Sequence, residues 1–164
     1  MEQVLISADS WEEIAGVMDI IRKGEAYTYV PLGLPIKEQF RVSSRYGMRK
    51  DPMTGKRTMH SGVDLAAQYA SVVYSTGSGV VIFSGSKGGY GKTIIVRHKY
   101  GFETYYAHLT YLYANAGDRI ERGNAIGFVG STGRSTGNHL HYEIRKQGRA
   151  INPDGFMQYI QRIN

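Results

Sequence analysis

Two histidines stand one residue apart in the segment GNHLHYEI, residues 137–144. If this segment is a strand, His139 and His141 leave the same face about 6.6–6.8 Å apart, while Leu140 points to the opposite face. The pattern therefore predicts two imidazoles facing one space and a leucine packed in a core. Two imidazoles in one space can bind a metal or act as bases.

A second candidate pair is His60 and Asp64 in the segment HSGVD. At this spacing they would share one face of a helix, but Gly62 and the neighbouring turn residues disfavour a helix, so we expect a strand entered from a loop. By itself such a pair is weak evidence for a metal site, because histidine and aspartate are common on surfaces and are usually solvated there.

The two remaining histidines give weaker signals. His108, in YYAHLT, follows a run of aromatic residues and by itself is typical of a packed or hydrogen-bonded side chain. His98, in IIVRHKYG, stands between Arg97 and Lys99 just before a turn. We therefore predict that His98 is solvated.

The chain has 164 residues and no cysteine, which excludes thiolate zinc sites, cysteine nucleophiles and disulfides. Any metal must therefore be bound by histidine and carboxylate. Zinc that catalyses hydrolysis needs three protein ligands and an open position. A set of this kind is available from His60, Asp64 and one of His139 or His141, and the remaining histidines are then free to act as acid, base or oxyanion donor.

Taken in order, HSGVDLAA, the later YAHL and the closing His-x-His of GSTGRSTGNHLHYEIR resemble the lysostaphin/LytM-type zinc endopeptidases of peptidase family M23. The resemblance runs from residue 41 to residue 157. It implies a compact antiparallel β fold whose groove binds one zinc ion. It also implies that His60, Asp64 and His141 bind this metal, and that His108 and His139 carry out the acid–base or oxyanion chemistry. Which of these two is the general base stays open.

The resemblance further implies a zinc-dependent endopeptidase that hydrolyses peptide cross-links, or stem and bridge peptides, of bacterial peptidoglycan. Such an enzyme would act in the cell envelope, in the periplasm or outside the cell. The first twenty residues carry five acidic side chains where a signal peptide needs a basic start and an apolar run, so we expect an export signal to have been trimmed from this chain. The chain has no run of 18 apolar residues, and the sequence predicts no membrane segment.

Two other classes of function compete with a peptidase. A non-catalytic LytM-like regulator that activates a separate wall amidase would share the fold but characteristically lacks the ligands, which are all present here. A basic β module that binds nucleic acid or wall polymer would suit the net charge of +6 and the thirteen tyrosines. Because the tyrosines stand mostly in strand-like runs, where packing is the default, we expect no nucleic-acid partner.

From about residue 40 the chain consists of short β-rich runs between glycines, among them GVVIFSG, KTIIVRH, ETYYAHLTYL and AIGFVGS. This spacing predicts a mainly β fold, a compact antiparallel sandwich or barrel-like domain, and disfavours alternating strands and helices. The glycine-rich segments KGGYGK and GSTGRSTG lack the spacing and the following helix of a phosphate-binding loop, so we predict turns there.

The first part of the chain has a different pattern. Residues 10–22 place apolar side chains at helical spacing, and Ser10 with Glu13 predicts a capping box. Pro31 and Pro35 then predict an extended linker. We therefore divide the chain into an N-terminal helix with its linker, residues 1–36, and a zinc peptidase domain, residues 37–164. We expect the helix to pack on the domain as structure and not to cover the groove.

Overall fold

The computed structural model describes residues 1–159, and within this range it contains twelve strands, five short α-helices and two 3₁₀-helices, Gly88–Tyr90 and Lys99–Gly101. The strands are β1 (Phe40–Ser44), β2 (Gly47–Lys50), β3 (Arg57–His60), β4 (Val63–Ala67), β5 (Val72–Tyr74), β6 (Gly79–Ser86), β7 (Lys92–Arg97), β8 (Phe102–Leu112), β9 (Arg119–Ile120), β10 (Ala125–Val129), β11 (His139–Lys146) and β12 (Arg149–Ile151). The helices are α1 (Glu2–Ser7), α2 (Trp11–Ala15), α3 (Met18–Ile21), α4 (Ala26–Tyr29) and α5 (Asp154–Gln158). This architecture confirms the mainly β fold that the sequence predicts.

The strands form one large sheet and one separate hairpin, and their pairings are antiparallel. The large sheet has the order β1-β4-β11-β8-β7-β6-β9, with β12 added to β11, and the hairpin consists of β2 and β3. Strand β10 pairs both with β5 and with the second half of β8. The sheet order is open, with β1 and β9 at its edges, so these described strands do not close into a barrel.

Strand β8 serves two sets of partners because its backbone changes direction at His108. It pairs with β11 up to Ala107 and with β10 from Leu109 onward. Between these positions His108 has a φ of 60°, in the left-handed region that non-glycine residues rarely adopt. The register with β7 shifts at the same point, between Lys92 and Ile94. The interruption is a β-bulge, a feature that re-aims side chains.

The core is one continuous cluster of buried apolar side chains. Its largest members include Tyr106 on β8 and Tyr142 on β11, which are fully buried. Both hydroxyls contact Thr76: the hydroxyl of Tyr106 accepts a hydrogen bond from the backbone N–H at 3.0 Å, and that of Tyr142 lies 2.7 Å from Oγ1. These tyrosines are core residues, as their positions in strand-like runs predict.

The helix predicted over residues 10–22 is wrong in its continuity. It is split into α2 and α3, because the backbone leaves helical geometry at Val17, with φ −115° and ψ 3°. The predicted cap is present: the N–H of Glu13 donates to Ser10 Oγ at 3.4 Å, and the Glu13 carboxylate accepts from the N–H of Asp9 at 3.1 Å. Helices α1 and α4 are additional to the sequence prediction.

The N-terminal segment packs in the same core cluster as the strands. Leu5, Ile14 and Ile21 are fully buried, and Trp11 packs edge-on against Phe156 with ring centroids 5.0 Å apart. Residues 30–39 form a connector without helix or strand, and it bends at several positions where an extended path was predicted. None of the helices within residues 1–159 has the length and hydrophobicity needed to cross a bilayer. The division of the chain at residue 36 stays a prediction.

Candidate metal centre

Three side chains that the sequence singles out meet at one end of β4 and β11. The antiparallel register of these strands sets His141 directly opposite Asp64. His60 is the last residue of β3 and reaches the same point through the short connection to β4. The glycine in this connection is required, since a Cβ at Gly62 would lie 2.3 Å from the carbonyl oxygen of Tyr142. His60 therefore ends β3, and Asp64 lies in β4 just after a two-residue connection. This confirms the prediction of a strand entered from a loop, and not a helix.

The donor atoms of these three residues converge on one point. His60 Nε2 lies 3.2 Å from both Asp64 Oδ1 and His141 Nδ1, and the last two atoms lie 2.8 Å from each other. Three ligands at about 2.0–2.1 Å from a tetrahedral zinc ion stand about 3.3–3.4 Å apart, close to the observed spacing. The three residues form a group that could hold a metal ion.

The outward-facing ring nitrogens determine which atoms are free to bind a metal. His60 Nδ1 lies 2.8 Å from the carbonyl oxygen of Arg45, and His141 Nε2 lies 2.8 Å from Glu143 Oε1. Since a carbonyl or carboxylate oxygen can only accept, both outward nitrogens donate, and each inward nitrogen then carries either a lone pair or the second proton of a charged ring. In the metal-free chain such a proton forms the hydrogen bond to Asp64 Oδ1. Without it, two lone pairs and the Asp64 carboxylate face one point and can bind a cation there. This donor set fits one zinc ion bound by nitrogen and oxygen.

Glu143 fixes the orientation of His141 and was missed by the sequence prediction. Its carboxylate is fully buried and accepts four hydrogen bonds. Oε1 accepts from His141 Nε2 at 2.8 Å, from Ser61 Oγ at 2.5 Å and from the Tyr90 hydroxyl at 2.7 Å. Oε2 accepts from Arg145 Nε at 2.7 Å. The signal was available, because Glu143 continues the i, i+2 alternation of His139 and His141 on the same face of β11.

The electrostatics of the site favour a positive charge among the ligands. Burial raises the pKa of Glu143, but the hydrogen bond and charge of His141 outweigh it and bring this pKa to about 2. Burial also raises the pKa of Asp64, but hydrogen bonds from His141 and His60 reverse this effect, and the pKa falls well below its ordinary value. Burial lowers the pKa of His141, whereas Asp64 and Glu143 together raise it to about 9. Two ionised carboxylates thus flank one imidazole.

The other two predicted histidines lie beside the ligands with their rings close together. The ring centroids of His108 and His139 are 4.6 Å apart. His108 Nδ1 donates to the carbonyl oxygen of Thr132 at 2.8 Å, and His139 Nδ1 donates to that of Gly137 at the same distance. His139 Nε2 lies 3.8 Å from Asp64 Oδ1. In both rings Nε2 is therefore the free nitrogen.

Burial gives His108 the character of a neutral base. Desolvation is the main cause, and with the neighbouring charges of His139 and His141 it lowers the pKa of His108 to about 4. The imidazole is therefore uncharged at neutral pH and presents a lone pair at Nε2.

Two glycine-rich loops hold His108 in place. KGGYGK contains the 3₁₀-helix Gly88–Tyr90 where a turn was predicted, and GSTGRSTG is an irregular loop with bends. The two loops pack directly on each other: a Cβ at Gly133 would lie 2.3 Å from the backbone nitrogen of Gly91. The N–H of Lys92 donates to Thr132 Oγ1 at 2.9 Å, and this contact fixes the residue whose carbonyl accepts from His108. The loops thus position an imidazole and do not resemble a phosphate cradle.

His98 corrects a prediction from the sequence. The structure buries it away from the metal centre, with Nδ1 donating to the carbonyl oxygen of Ser78 at 2.7 Å and Nε2 lying 2.8 Å from the hydroxyl of Thr104. Desolvation lowers the pKa of His98 to about 4. The prediction that His98 is solvated is wrong because neighbouring backbone and hydroxyl groups satisfy both ring nitrogens inside the fold.

The metal centre lies on the floor of a groove of about 350 Å³. Its walls include Tyr90 and two arginines, Arg49 from β2 and Arg134 from the loop before β11. Arg134 Nη2 donates to both oxygens of Asp51, at 2.9 and 3.0 Å. The lining residues come from positions 49 to 141, so within the described chain the N-terminal segment takes no part in the groove.

Comparisons with known proteins show what the chain is similar to. The sequence model of Peptidase family M23 matches residues 58–153. The chain is 47% identical over 113 residues to the DD-carboxypeptidase/endopeptidase Mpg of Neisseria meningitidis serogroup B, covering 69% of this chain and 26% of Mpg. It is 35% identical over 119 residues to the peptidoglycan DD-endopeptidase ShyA of Vibrio cholerae serotype O1, covering 72% of this chain and 28% of ShyA. A crystal structure of a zinc-containing peptidase from Vibrio cholerae is similar with a TM-score of 0.72 at 32% identity, over 80% of this chain and 41% of that one. The chain thus spans about a quarter of the length of these curated relatives.

Proposed function

The chain belongs to peptidase family M23, and from this premise we propose that it is a zinc-dependent endopeptidase that hydrolyses peptide bonds in bacterial peptidoglycan. One observation carries the proposal: three metal-binding atoms converge at the floor of an open groove, with two further imidazoles beside them. A regulator without catalytic activity has no need of this full set.

The side chains divide into a metal-binding group and a proton-transfer group. We assign metal binding to His60, Asp64 and His141. Zinc held by these residues would supply Lewis acidity toward the scissile carbonyl and would make a water molecule more acidic. His108 and His139 each keep Nε2 free, because Nδ1 donates to a backbone carbonyl.

The free nitrogens supply the two remaining requirements of amide hydrolysis. One Nε2 accepts a proton from the attacking water. The other ring, when protonated at Nε2, donates to the developing oxyanion or to the leaving nitrogen. Both carbonyl acceptors lie on the loop between β10 and β11, and this loop therefore sets the direction of both rings.

The substrate class follows from the relatives and from charge. Relatives named as a DD-carboxypeptidase/endopeptidase and a peptidoglycan DD-endopeptidase support peptidoglycan peptides as the substrate. The net charge of +6 suits an acidic cell wall. We place the activity in the cell envelope, where this polymer lies.

The deciding experiment is mass spectrometry of products from purified muropeptides of known cross-link, incubated with the zinc-loaded chain. We expect two products whose summed mass exceeds that of the substrate by one water, and their identity defines the bond. Asp64→Asn is the matched control, since it keeps the side-chain shape but weakens the oxygen ligand; it should lose zinc and hydrolysis together. If the zinc-loaded chain leaves every muropeptide intact, the proposed peptidase activity is wrong.

A further inference from the structure

Arg49 is the one side chain with a buried polar atom that lacks a hydrogen-bond partner among residues 1–159. Its Nε is enclosed by protein without an acceptor. The side chain is 29% exposed, and its nearest carboxylate oxygen is Asp64 Oδ2, at 3.8 Å from Nη2. Buried donors are nearly always paired, so the unpaired Nε shows that the fold itself does not satisfy this guanidinium. The partly exposed Nη groups are the donors that an acceptor in the groove can reach.

The neighbouring arginines differ from Arg49 because each of them has a carboxylate partner. Arg134, on the same groove, donates to both oxygens of Asp51. Arg145, behind the metal centre, donates to Glu143 Oε2 at 2.7 Å. Each of these guanidinium groups already has a carboxylate at hydrogen-bond distance. In Arg49 the donors open to a planar, bidentate anion are those of the two Nη groups, one of which lies 3.8 Å from Asp64 Oδ2 without a hydrogen bond.

Arg49 lies close enough to the metal-binding residues to contact a substrate that is bound there. Asp64 Oδ1 faces the two histidine ligands, whereas Oδ2 faces Arg49. The guanidinium therefore lies one carboxylate away from the point where the donors converge. It is on strand β2, in the hairpin whose other strand ends in the ligand His60.

The surface beyond Arg49 is also cationic. The groove continues past Asp64 into a second depression whose lining includes Arg41, Arg49 and Lys50. The one carboxylate in that lining is Asp64, which we assign to the metal. Because three cationic side chains line this depression and its single carboxylate is assigned to the metal, the depression favours an anionic ligand.

Peptidoglycan peptides carry such an anion at a fixed place. When the leaving nitrogen belongs to a C-terminal D-alanine, or to the second amino-bearing carbon of a diaminodicarboxylic acid in a D,D cross-link, the carbon that carries this nitrogen also carries a free carboxylate. A bond inside a glycine bridge offers a neutral amide at that place. Resting on the proposed function, we propose that Arg49 binds the free α-carboxylate of the residue whose nitrogen leaves, and so selects carboxylate-flanked bonds over neutral bridge bonds.

The test compares two substrates on one preparation of enzyme. The probes are a diacetylated Lys-D-Ala-D-Ala peptide with a free C-terminal carboxylate and the same peptide as its C-terminal amide. For the zinc-loaded wild-type chain we expect kcat/KM to favour the carboxylate on the order of 10- to 100-fold, the range for a charge-assisted hydrogen bond. Arg49→Gln should reduce this ratio to about 1–3. Arg49→Lys should retain part of the preference, because lysine keeps the positive charge but lacks the paired donors of the guanidinium group.

The ratio is insensitive to partial loss of zinc or of folded protein, since both substrates are measured on the same sample. Arg134→Gln is the matched control: it changes an arginine of the same groove that already has a carboxylate partner, and it should leave the ratio at the wild-type value. An unchanged ratio in Arg49→Gln would overturn the assignment of Arg49. If the wild-type chain hydrolyses neither peptide nor any muropeptide, the proposed function fails, and calorimetric binding of the two peptides to wild type and Arg49→Gln then decides the role of Arg49 by the same ratio.

Discussion

Replacing Glu143 by glutamine tests whether the buried carboxylate prepares His141 for metal binding. The substitution keeps the volume of the side chain but removes its charge and one acceptor oxygen. With the amide oxygen in the place of Oε1, the hydrogen bond from His141 is kept and the NH₂ group faces Arg145. In the opposite orientation the NH₂ group meets three donors, from His141, Ser61 and Tyr90. Neither orientation satisfies all four donors.

The expected loss of zinc affinity follows from the role of this hydrogen bond. An outer partner of a metal ligand typically contributes about 10- to 100-fold to affinity, or about 1.4–2.8 kcal/mol. Glutamine keeps an acceptor, so we expect the lower half of this range for Glu143→Gln. Glu143→Ala removes the acceptor altogether and should reach the upper half. In the metal-free state, loss of one of two flanking carboxylates should also lower the pKa of His141 from its raised value.

The assay is competition for zinc against a chromophoric chelator at pH 7, with urea unfolding of the metal-free variants as a separate measure of folding. Glu103→Gln is the matched control on the adjacent strand, where the carboxylate pairs with Arg97 at 3.5 Å and contacts no ligand. It should bind zinc as tightly as the wild-type chain. Wild-type affinity in both Glu143 variants would refute the argument that this carboxylate fixes the tautomer of His141.

Three further predictions follow from the assignments above. His141→Ala should lose zinc and activity together, whereas His139→Ala and His108→Ala should keep stoichiometric zinc while kcat/KM falls about 10²–10⁴-fold. Metal analysis and kinetics on the same samples check this. Zinc loss confined to His139→Ala would reverse the assignment. Burial lowers the pKa of His98 to about 4, so the stability that depends on the neutral imidazole is complete above the unfolded pKa of about 6.5 and is lost as the pH falls. In urea titrations between pH 7 and pH 5, the free energy of unfolding of the metal-free wild type should fall by about 2 kcal/mol more than that of His98→Gln. Equal falls would contradict this. Deleting residues 1–24 should lower the unfolding midpoint without raising specific activity, because this segment packs in the core and lies outside the groove; a large gain in activity would contradict that interpretation.

The fold could be predicted because strand signals are local. Short β-rich runs between glycines predict an antiparallel sheet without knowledge of which strands pair. Spacing predicted that His139 and His141 share one face of a strand, but the choice of His141 as the third ligand beside His60 and Asp64 came from the resemblance to family M23. The N-terminal helix was less predictable, because periodicity reports which face is buried and does not report the break at Val17.

Residues whose role depends on partners distant in sequence could not be predicted in the same way. His98 has charged neighbours in the chain, yet Ser78 and Thr104 satisfy its ring nitrogens inside the fold. Arg49 is one of many cations in a basic chain, and only the hairpin geometry leaves it facing Asp64 without a hydrogen bond. Both cases concern which polar groups find partners, a property that emerges once strands are paired.

The backbone at His108 connects the fold to the proposed chemistry. In a regular strand, neighbouring side chains alternate between faces, so the residue after Ala107 would point away from the face that Ala107 shares with its partner on β11. The bulge and the φ of 60° change this direction, at a cost of about 1–2 kcal/mol for a non-glycine residue in the left-handed region. The hydrogen bond from His108 to Thr132 offsets part of this cost, about 1 kcal/mol. The remaining backbone strain lies at His108, whose imidazole lines the groove. Strained backbone of this kind is retained at functional sites, where it serves function and not stability.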